Sequence, residues 1–332
     1  MSLLEVRDLS VAFGQGSQQV RAIEQIGLTV DAGEILVAVG ESGCGKSVTA
    51  LAVMGLIDPR QGLITGGSVR VAGQELVGAS PSALRSLRRG RLAMVFQEPL
   101  SALNPVMRVG AQIAEALPPE TRDRPDRAIA LLTEVGIVDA AARARAYPHE
   151  LSGGMRQRVV IAMALAQEPQ VLIADEATTA LDATVQAQIL ELFLSLRRDR
   201  GLSILAITHD FGVVAEIADR VAVFYAGRVV ETAPAARLFD APAHPYTRAL
   251  IAARPVPGVA PRTLLPEIAG VVPRLADMPP GCRFAPRCPL ATDLCRQSEP
   301  LPGPLAPGHV VACHHPVTAP VTAPETAPET AS

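Results

Sequence analysis

The sequence predicts an α/β chain: a buried parallel sheet, an antiparallel β region ahead of it and a helical segment inserted within it. Three nearly continuous apolar runs predict the sheet. Ile35 to Val39, Val171 to Ala174 and Ile204 to Ile207 lack the alternation of a half-solvated strand and read as strands covered on both faces. Each run stops at a glycine cluster or a polar residue, at Gly40, Asp175 and Thr208. The 332 residues are 48 % apolar, ample for a packed core over about two domains, which excludes a disordered or fibrous chain.

From Leu3 to Val30 the apolar residues tend to alternate (Leu4, Val6, Leu9, Val11, Phe13) and are broken by the turn-like Gly14-Gln15-Gly16-Ser17, so short antiparallel strands are expected. Over about residues 100–167 the chain turns Ala-, Leu- and Arg-rich. Its apolar spacing is helical (Ile129, Leu132, Val135; Val159, Met163), which predicts a helical insertion inside a main domain of residues 1–255. Prolines and four cysteines mark 256–316 as a small appended module. Residues 317–332 form a Pro-Val-Thr-Ala and Pro-Glu-Thr-Ala repeat with too little apolar area to offset its ordering entropy, and disorder is expected there.

Thirty basic residues nearly cancel 33 acidic ones, so the net balance predicts neither a nucleic-acid partner nor a polybasic membrane anchor. Apolar runs such as Leu51 to Ile57 fall far short of the roughly 20 residues that span a bilayer. The N-terminus has no basic-then-apolar secretory pattern, so the chain is expected in the cytoplasm and any membrane contact through another protein. Of the 30 basic residues, 29 are Arg and one is Lys46. A position that stays Lys against such a bias marks a need for a compact point charge.

Gly40-Glu41-Ser42-Gly43-Cys44-Gly45-Lys46-Ser47 matches the P-loop pattern and sits between a predicted strand and a predicted helix, the context that motif requires. Glycines let backbone N–H groups converge on phosphate oxygens, and the helix N-terminus adds positive potential. Lys46 reaches the terminal phosphates and the Ser47 hydroxyl can ligate Mg²⁺. Asp175 closes an apolar strand 129 residues after Lys46 and Glu176 follows it, which places one carboxylate for Mg²⁺ and a second where an attacking water would stand. Leu151-Ser152-Gly153-Gly154-Met155 opens an Ala/Val/Met-rich helix 23 residues ahead of Asp175, with Ser152 counted from the motif. Alone it reads as an N-cap before a core helix; its free N–H donors also suit a second anion.

In these motifs the sequence resembles the ATP-binding subunits of ABC transporters, whose signature is usually LSGGQ, and the resemblance covers nearly the whole chain. It implies a P-loop NTPase cassette: a RecA-like core with an antiparallel β subdomain and a helical subdomain. It also implies that Phe13 stacks on adenine, that Gln97 senses Mg²⁺ and the γ-phosphate, that Asp182 crosses a dimer interface and that His209 contacts the γ-phosphate. By the same resemblance two cassettes sandwich each ATP between the P-loop of one (Gly40, Ser42, Gly43, Cys44, Gly45, Lys46, Ser47) and the Ser152-Gly153-Gly154 of the other. Glu176 would orient or deprotonate the attacking water. Two residues depart from the pattern. Met155 replaces the usual signature Gln, a change common in the peptide-transporter branch, and Ala177 stands where that branch usually has Pro.

Phe239-Asp240-Ala241-Pro242-Ala243-His244-Pro245-Tyr246-Thr247-Arg248-Ala249-Leu250 resembles a C-terminal motif of the oligopeptide/dipeptide-permease ATPases, and can at the same time be a helix-bounding loop with a Tyr anchor. The resemblance implies a paralogous second cassette, two integral membrane permease subunits, an extracytoplasmic solute-binding protein and a place on the cytoplasmic face of the membrane. Nickel, glutathione or oligosaccharides are alternative solutes. A non-transport ABC ATPase is disfavoured by the lack of a long coiled-coil insertion, and a non-hydrolysing scaffold by the presence of Lys46, Asp175, Glu176 and His209.

Cys282, Cys288, Cys295 and Cys313 are spaced C-x5-C-x6-C-x17-C. In a cytosolic chain disulfides are disfavoured, which leaves an iron–sulfur cluster, zinc or four unrelated thiols. Gly281 to Pro289 matches a pattern of several peptide-permease ATPases, and a 4Fe-4S cluster is what that resemblance implies. Cys44 is a separate thiol whose reactivity depends on its thiolate character.

Overall fold

The computed structural model describes residues 2–14, 16, 19–179, 181–254 and 267–317. They fall into two compact units, divided between Arg228 and Val229. The expected junction at 255/256 and nearly all of the 317–332 repeat lie outside the described residues.

The first unit opens with β1 (Ser2–Phe13) and β2 (Val20–Asp31), antiparallel, with Leu4 opposite Val30 and Val6 opposite Leu28. The alternation buries Leu4, Val6, Leu9 and Val11 on one face. Each strand has 12 residues, longer than the short strands expected. Register shifts along the ladder, together with left-handed Asp8 and Gln25, let the strands bend where they would otherwise break. After β3 (Ile35–Val39) and α1 (Lys46–Val53) the chain returns as β4 (Gly62–Val71), which pairs with β1, and β5 (Gln74–Glu75), giving the order β2-β1-β4-β5.

Then follow α2 (Pro81–Arg88), capped by the Ser80 hydroxyl, and β6 (Leu92–Val95). The helical segment comprises α3 (Pro99–Ala102), α4 (Val109–Ala116), α5 (Arg124–Glu134), α6 (Ala140–Arg143) and α7 (Gly153–Leu165). Of the residues whose spacing predicts these helices, Leu132, Val135 and Val159 are buried and Ile129 and Met163 are half-buried, with Ile113 and Leu131 buried beside them. The chain re-enters the core through β7 (Val171–Asp175), α8 (Ala183–Arg200), β8 (Ser203–Thr208), α9 (Phe211–Ile217) and β9 (Arg220–Tyr225). Helix α8 ends at Gly201, in the left-handed conformation, with Arg197, Arg198 and Arg200 in its last turn, where they complement the helix dipole.

Within this unit β9, β3, β8, β7 and β6 lie side by side, all parallel. Every residue of β3, β7 and β8 is buried, the reason these runs do not alternate. Val39 stands opposite Thr208, Asp175 opposite Ile207 and Val95 opposite Ala174, so the strands deliver their C-terminal ends to one edge. In an open α/β sheet that edge is where ligands bind. Among the described residues no helix is long and apolar enough to cross a membrane.

The second unit contains β10 (Arg228–Pro234), α10 (Ala235–Asp240), α11 (Pro245–Ala252), α12 (Asp293–Gln297), β11 (Gly303–Ala306) and β12 (His309–Val311), with antiparallel strands in the order β11-β12-β10. The Tyr246 and Phe284 rings pack 5.3 Å apart, and His244 lies 5.8 Å from Phe284. His244 caps α11: its Nδ1 accepts the Tyr246 N–H at 3.0 Å. Burial pushes its pKa down to about 3, so the ring is neutral. Beneath it the buried Glu231 carboxylate accepts the backbone N–H groups of Ala243 (2.7 Å) and His244 (2.9 Å) and meets His309 Nε2 at 2.8 Å. The motif around His244 is therefore the helix-bounding, Tyr-anchored loop that one reading of its residues describes.

Candidate functional site

The loop between β3 and α1 leaves no room for a side chain at Gly40 and Gly45. A Cβ on Gly40 would lie 2.2 Å from the Phe224 carbonyl oxygen, and one on Gly45 would lie 2.5 Å from Ile23 Cγ2 on a backbone with φ +104°. Gly45 is also the N-cap of α1 and offers no side chain to it, so the first N–H groups of the helix face the loop. Lys46 is 5 % exposed and folds over this loop. Its Nζ donates to the carbonyl oxygens of Gly40 (2.7 Å) and Glu41 (3.0 Å) and approaches Cys44 Sγ at 3.5 Å. Burial pushes the Cys44 thiol up, against a lowering by Lys46.

The next residue begins the second part of the site. Ser47 Oγ donates to Asp175 Oδ1 at 3.1 Å, joining the start of α1 to the end of β7. Burial is the main cause that raises the Asp175 carboxyl above the usual range; the Ser47 hydrogen bond and Lys46 oppose it, and Glu176 adds to it. Two hard oxygen donors beside a glycine cradle fit a phosphate-bound Mg²⁺ in donor type and placement.

Glu176 lies just beyond β7 with a left-handed backbone, φ +48°, pinned by its N–H to the Ile207 carbonyl at 2.9 Å. Its Oε2 accepts from Gln97 Nε2 (2.9 Å) and Thr179 Oγ1 (3.1 Å), and Oε1 faces His209 Nδ1 at 3.5 Å. Gln97 follows β6 and His209 follows β8, so three neighbouring strands bring an amide, a carboxylate and an imidazole to one point. Such a group can hold a water and accept its proton. Thr179 is a partner that the motif reading does not single out. The signal available is a hydroxyl three residues after Glu176, in reach of it across one turn.

The remaining expected residues stand apart from this cluster. The Ser152 hydroxyl caps α7 through the Met155 N–H (3.3 Å), as its N-cap reading has it, and Asp182 caps α8 through the Val185 N–H (3.0 Å). Gly154 faces Val185 so closely that a Cβ would lie 2.5 Å from its Cγ1, and Gly153 faces Leu181. Among the described residues no hydrogen bond joins these four to the group around Glu176. Phe13 ends β1 opposite Gly62, where a Cβ would lie 2.7 Å from the ring.

In the second unit Cys282, Cys288, Cys295 and Cys313 line one pocket with His244, Phe284, His314 and His315. The Cys282 N–H donates to the Cys295 carbonyl at 2.8 Å, which ties the loop ends together. Burial pushes the thiols of Cys282 and Cys288 up, and that of Cys313 up to about 11. Among the described residues no group of three or more His, Cys, Asp or Glu side chains is placed to hold a metal ion. The four expected cysteines are thus brought into one pocket.

A family profile described as "ABC transporter" matches residues 23–179, and one described as "Oligopeptide/dipeptide transporter, C-terminal region" matches residues 230–295. A dipeptide transport ATP-binding protein of Escherichia coli (strain K12) is 48 % identical over 321 residues, 96 % of this chain and 98 % of the relative. The protein of the same description from Haemophilus influenzae is 47 % identical over 322 residues, 96 % of each. Among solved structures, a dimeric ATP-binding cassette in a post-hydrolysis state with ADP and phosphate superposes with TM-score 0.62 at 25 % identity, covering 70 % of this chain and 98 % of its own. A cassette of a Clostridium perfringens ABC transporter complex gives TM-score 0.63 at 26 % identity over 72 % of this chain and 90 % of its own. The glycine cradle, the Ser47–Asp175 pair and the parallel sheet that presents them are accordingly those of an ATPase cassette, and the chain belongs to the ATP-binding subunits of ABC transporters, in the oligopeptide/dipeptide branch.

Proposed function

We propose that this ATPase powers the uptake of di- and oligopeptides, coupling ATP-driven closure of two cassettes to the movement of solute through two integral membrane permease subunits. The observation that carries the reading is the convergence of Gln97, Glu176 and His209 beside Ser47 and Asp175 at one sheet edge. In it, Gly40, Ser42, Gly43, Cys44, Gly45 and Lys46 hold the phosphates and Phe13 packs against the adenine. Ser47, Asp175 and Gln97 hold Mg²⁺, which neutralises phosphate charge when bound with ATP. Glu176 takes the proton of the attacking water and His209 orients it against the γ-phosphate. Ser152, Gly153, Gly154 and Asp182 complete the site of a second, paralogous cassette. An extracytoplasmic solute-binding protein delivers the peptide, and the chain sits at the cytoplasmic face through the permeases.

The peptide assignment is supported by the C-terminal match and by relatives described as dipeptide transport ATP-binding proteins. The test of the site is Glu176→Gln. ATP binding persists, because the cradle and Lys46 are untouched, turnover is lost and a closed dimer accumulates with ATP. Wild-type turnover in this variant would remove Glu176 from its role. A second reading, a 4Fe-4S cluster on Cys282, Cys288, Cys295 and Cys313, is supported by their shared pocket. Iron and acid-labile sulfide near zero after anaerobic purification would leave four thiols.

A further inference from the structure

We propose that Thr179 is a positioning residue for the Glu176 carboxylate. The inference rests on the reading of Glu176 as the group that takes the proton of the attacking water. A left-handed backbone is uncommon for Glu, and the next residue, Ala177, lacks the ring that would stiffen the turn. The direction of the carboxylate therefore depends on its side-chain partners.

Three are in reach. Gln97 and Thr179 both donate to Oε2, which leaves Oε1 directed at His209. Gln97 arrives from a loop 79 residues earlier and His209 from the end of β8, and both are groups that the bound nucleotide would engage. Thr179 differs in kind. Its own N–H donates to the Glu176 carbonyl at 3.0 Å, so its hydroxyl belongs to the same turn and stays with the carboxylate when neighbouring elements shift. Thr179 is exposed, so packing gives its side chain little other purpose. It keeps Oε2 occupied and aims Oε1, the oxygen that receives the proton.

The experiment is steady-state ATP hydrolysis by the full-length chain carrying Thr179→Val, Thr179→Ser, Glu176→Gln, or Thr179→Val with Glu176→Gln. A hydrogen bond to a charged group predicts a kcat about ten-fold lower in Thr179→Val, with KM for ATP within about two-fold of wild type and unchanged thermal unfolding. Thr179→Ser, which keeps the hydroxyl, restores kcat, and Thr179→Val has no further effect in the Glu176→Gln background. Wild-type kcat in Thr179→Val, or kcat and KM falling away together with a lower melting temperature, overturns the proposal. If Glu176→Gln is inactive while Thr179→Val is fully active, only the role of Thr179 fails. If Glu176→Gln itself turns over normally, the reading of Glu176 fails and this inference with it.

Discussion

Gly45→Ala puts a methyl group where the loop between β3 and α1 leaves no room. The added Cβ would stand 2.5 Å from Ile23 Cγ2 and 3.4 Å from the Ala22 carbonyl oxygen, on a backbone with φ +104°. Ile23 is fully buried in β2. The conformation alone costs an L-residue about 1–2 kcal/mol. Overpacking against a buried side chain adds about 1–3 kcal/mol. Gly43 is the control: its φ is +77°, but a Cβ there meets nothing within 4 Å, so Gly43→Ala carries only the first cost. Denaturant unfolding of the full-length chain should therefore find Gly45→Ala less stable than Gly43→Ala by about 1–3 kcal/mol. ATP affinity should fall with it, because Lys46 and Ser47 follow directly. Adding Ile23→Ala to Gly45→Ala should cost less than the two single changes summed, since residues in contact do not act independently. Equal destabilisation at 43 and 45, or strict additivity of the pair, would refute the steric account of the loop.

Asp182→Ala removes the α8 cap and should cost about 1 kcal/mol in thermal or denaturant unfolding, whereas Asp182→Asn keeps an acceptor and should not. Loss of turnover in Asp182→Asn at unchanged stability would assign the charge a role beyond the cap. Glu231→Ala strips the acceptor from two buried N–H groups and from His309 and should destabilise the second unit by about 3–5 kcal/mol, read as lost amide-exchange protection over residues 243–252. Full protection there would show the network to be dispensable. His244 ties stability to pH. Its folded pKa of about 3 lies below the ordinary 6.5, so the unfolded chain binds the proton more tightly between those values. The stability of the neutral ring is fully present above pH 6.5 and is lost, by about 1.4 kcal/mol per unit, as pH falls toward 3. His244→Asn, which keeps a cap acceptor, should flatten that slope over pH 4–6.5; an unchanged slope would assign it to another group.

How much of this was legible follows from how local each signal is. The strands β3, β7 and β8 announce themselves because a sheet covered on both faces needs unbroken apolar runs, and the loop after β3 because close approach to phosphate excludes side chains. The strands β6 and β9 flank them without such a signal. Leu92–Val95 is four residues long, and β9 carries Arg220 and two aromatics, so neither differs from a helix fragment by pattern alone. The length of β1 and β2 was hidden because Asp8 and Gln25 adopt left-handed φ without being glycine. At the site, Lys46, Ser47, Asp175 and Glu176 come from motifs, while Gln97 and His209 were placed by resemblance. The contact of Thr179 with Glu176 was signalled only by a hydroxyl three residues on, and needed the turn itself to show that it reaches Oε2. The Glu231–His309 pair joins strands 78 residues apart and needed the fold to be seen.

Uptake of labelled di- and oligopeptides, with nickel and glutathione alongside, in cells carrying wild-type chain or Lys46→Ala tests the central claim most directly. Lys46 supplies the single buried ammonium over the phosphate cradle, so its loss should abolish uptake of the peptides and leave the other solutes unchanged. Peptide uptake at wild-type rate with stably expressed Lys46→Ala would contradict the account. Selective loss of nickel or glutathione uptake would keep the ATPase and replace the solute.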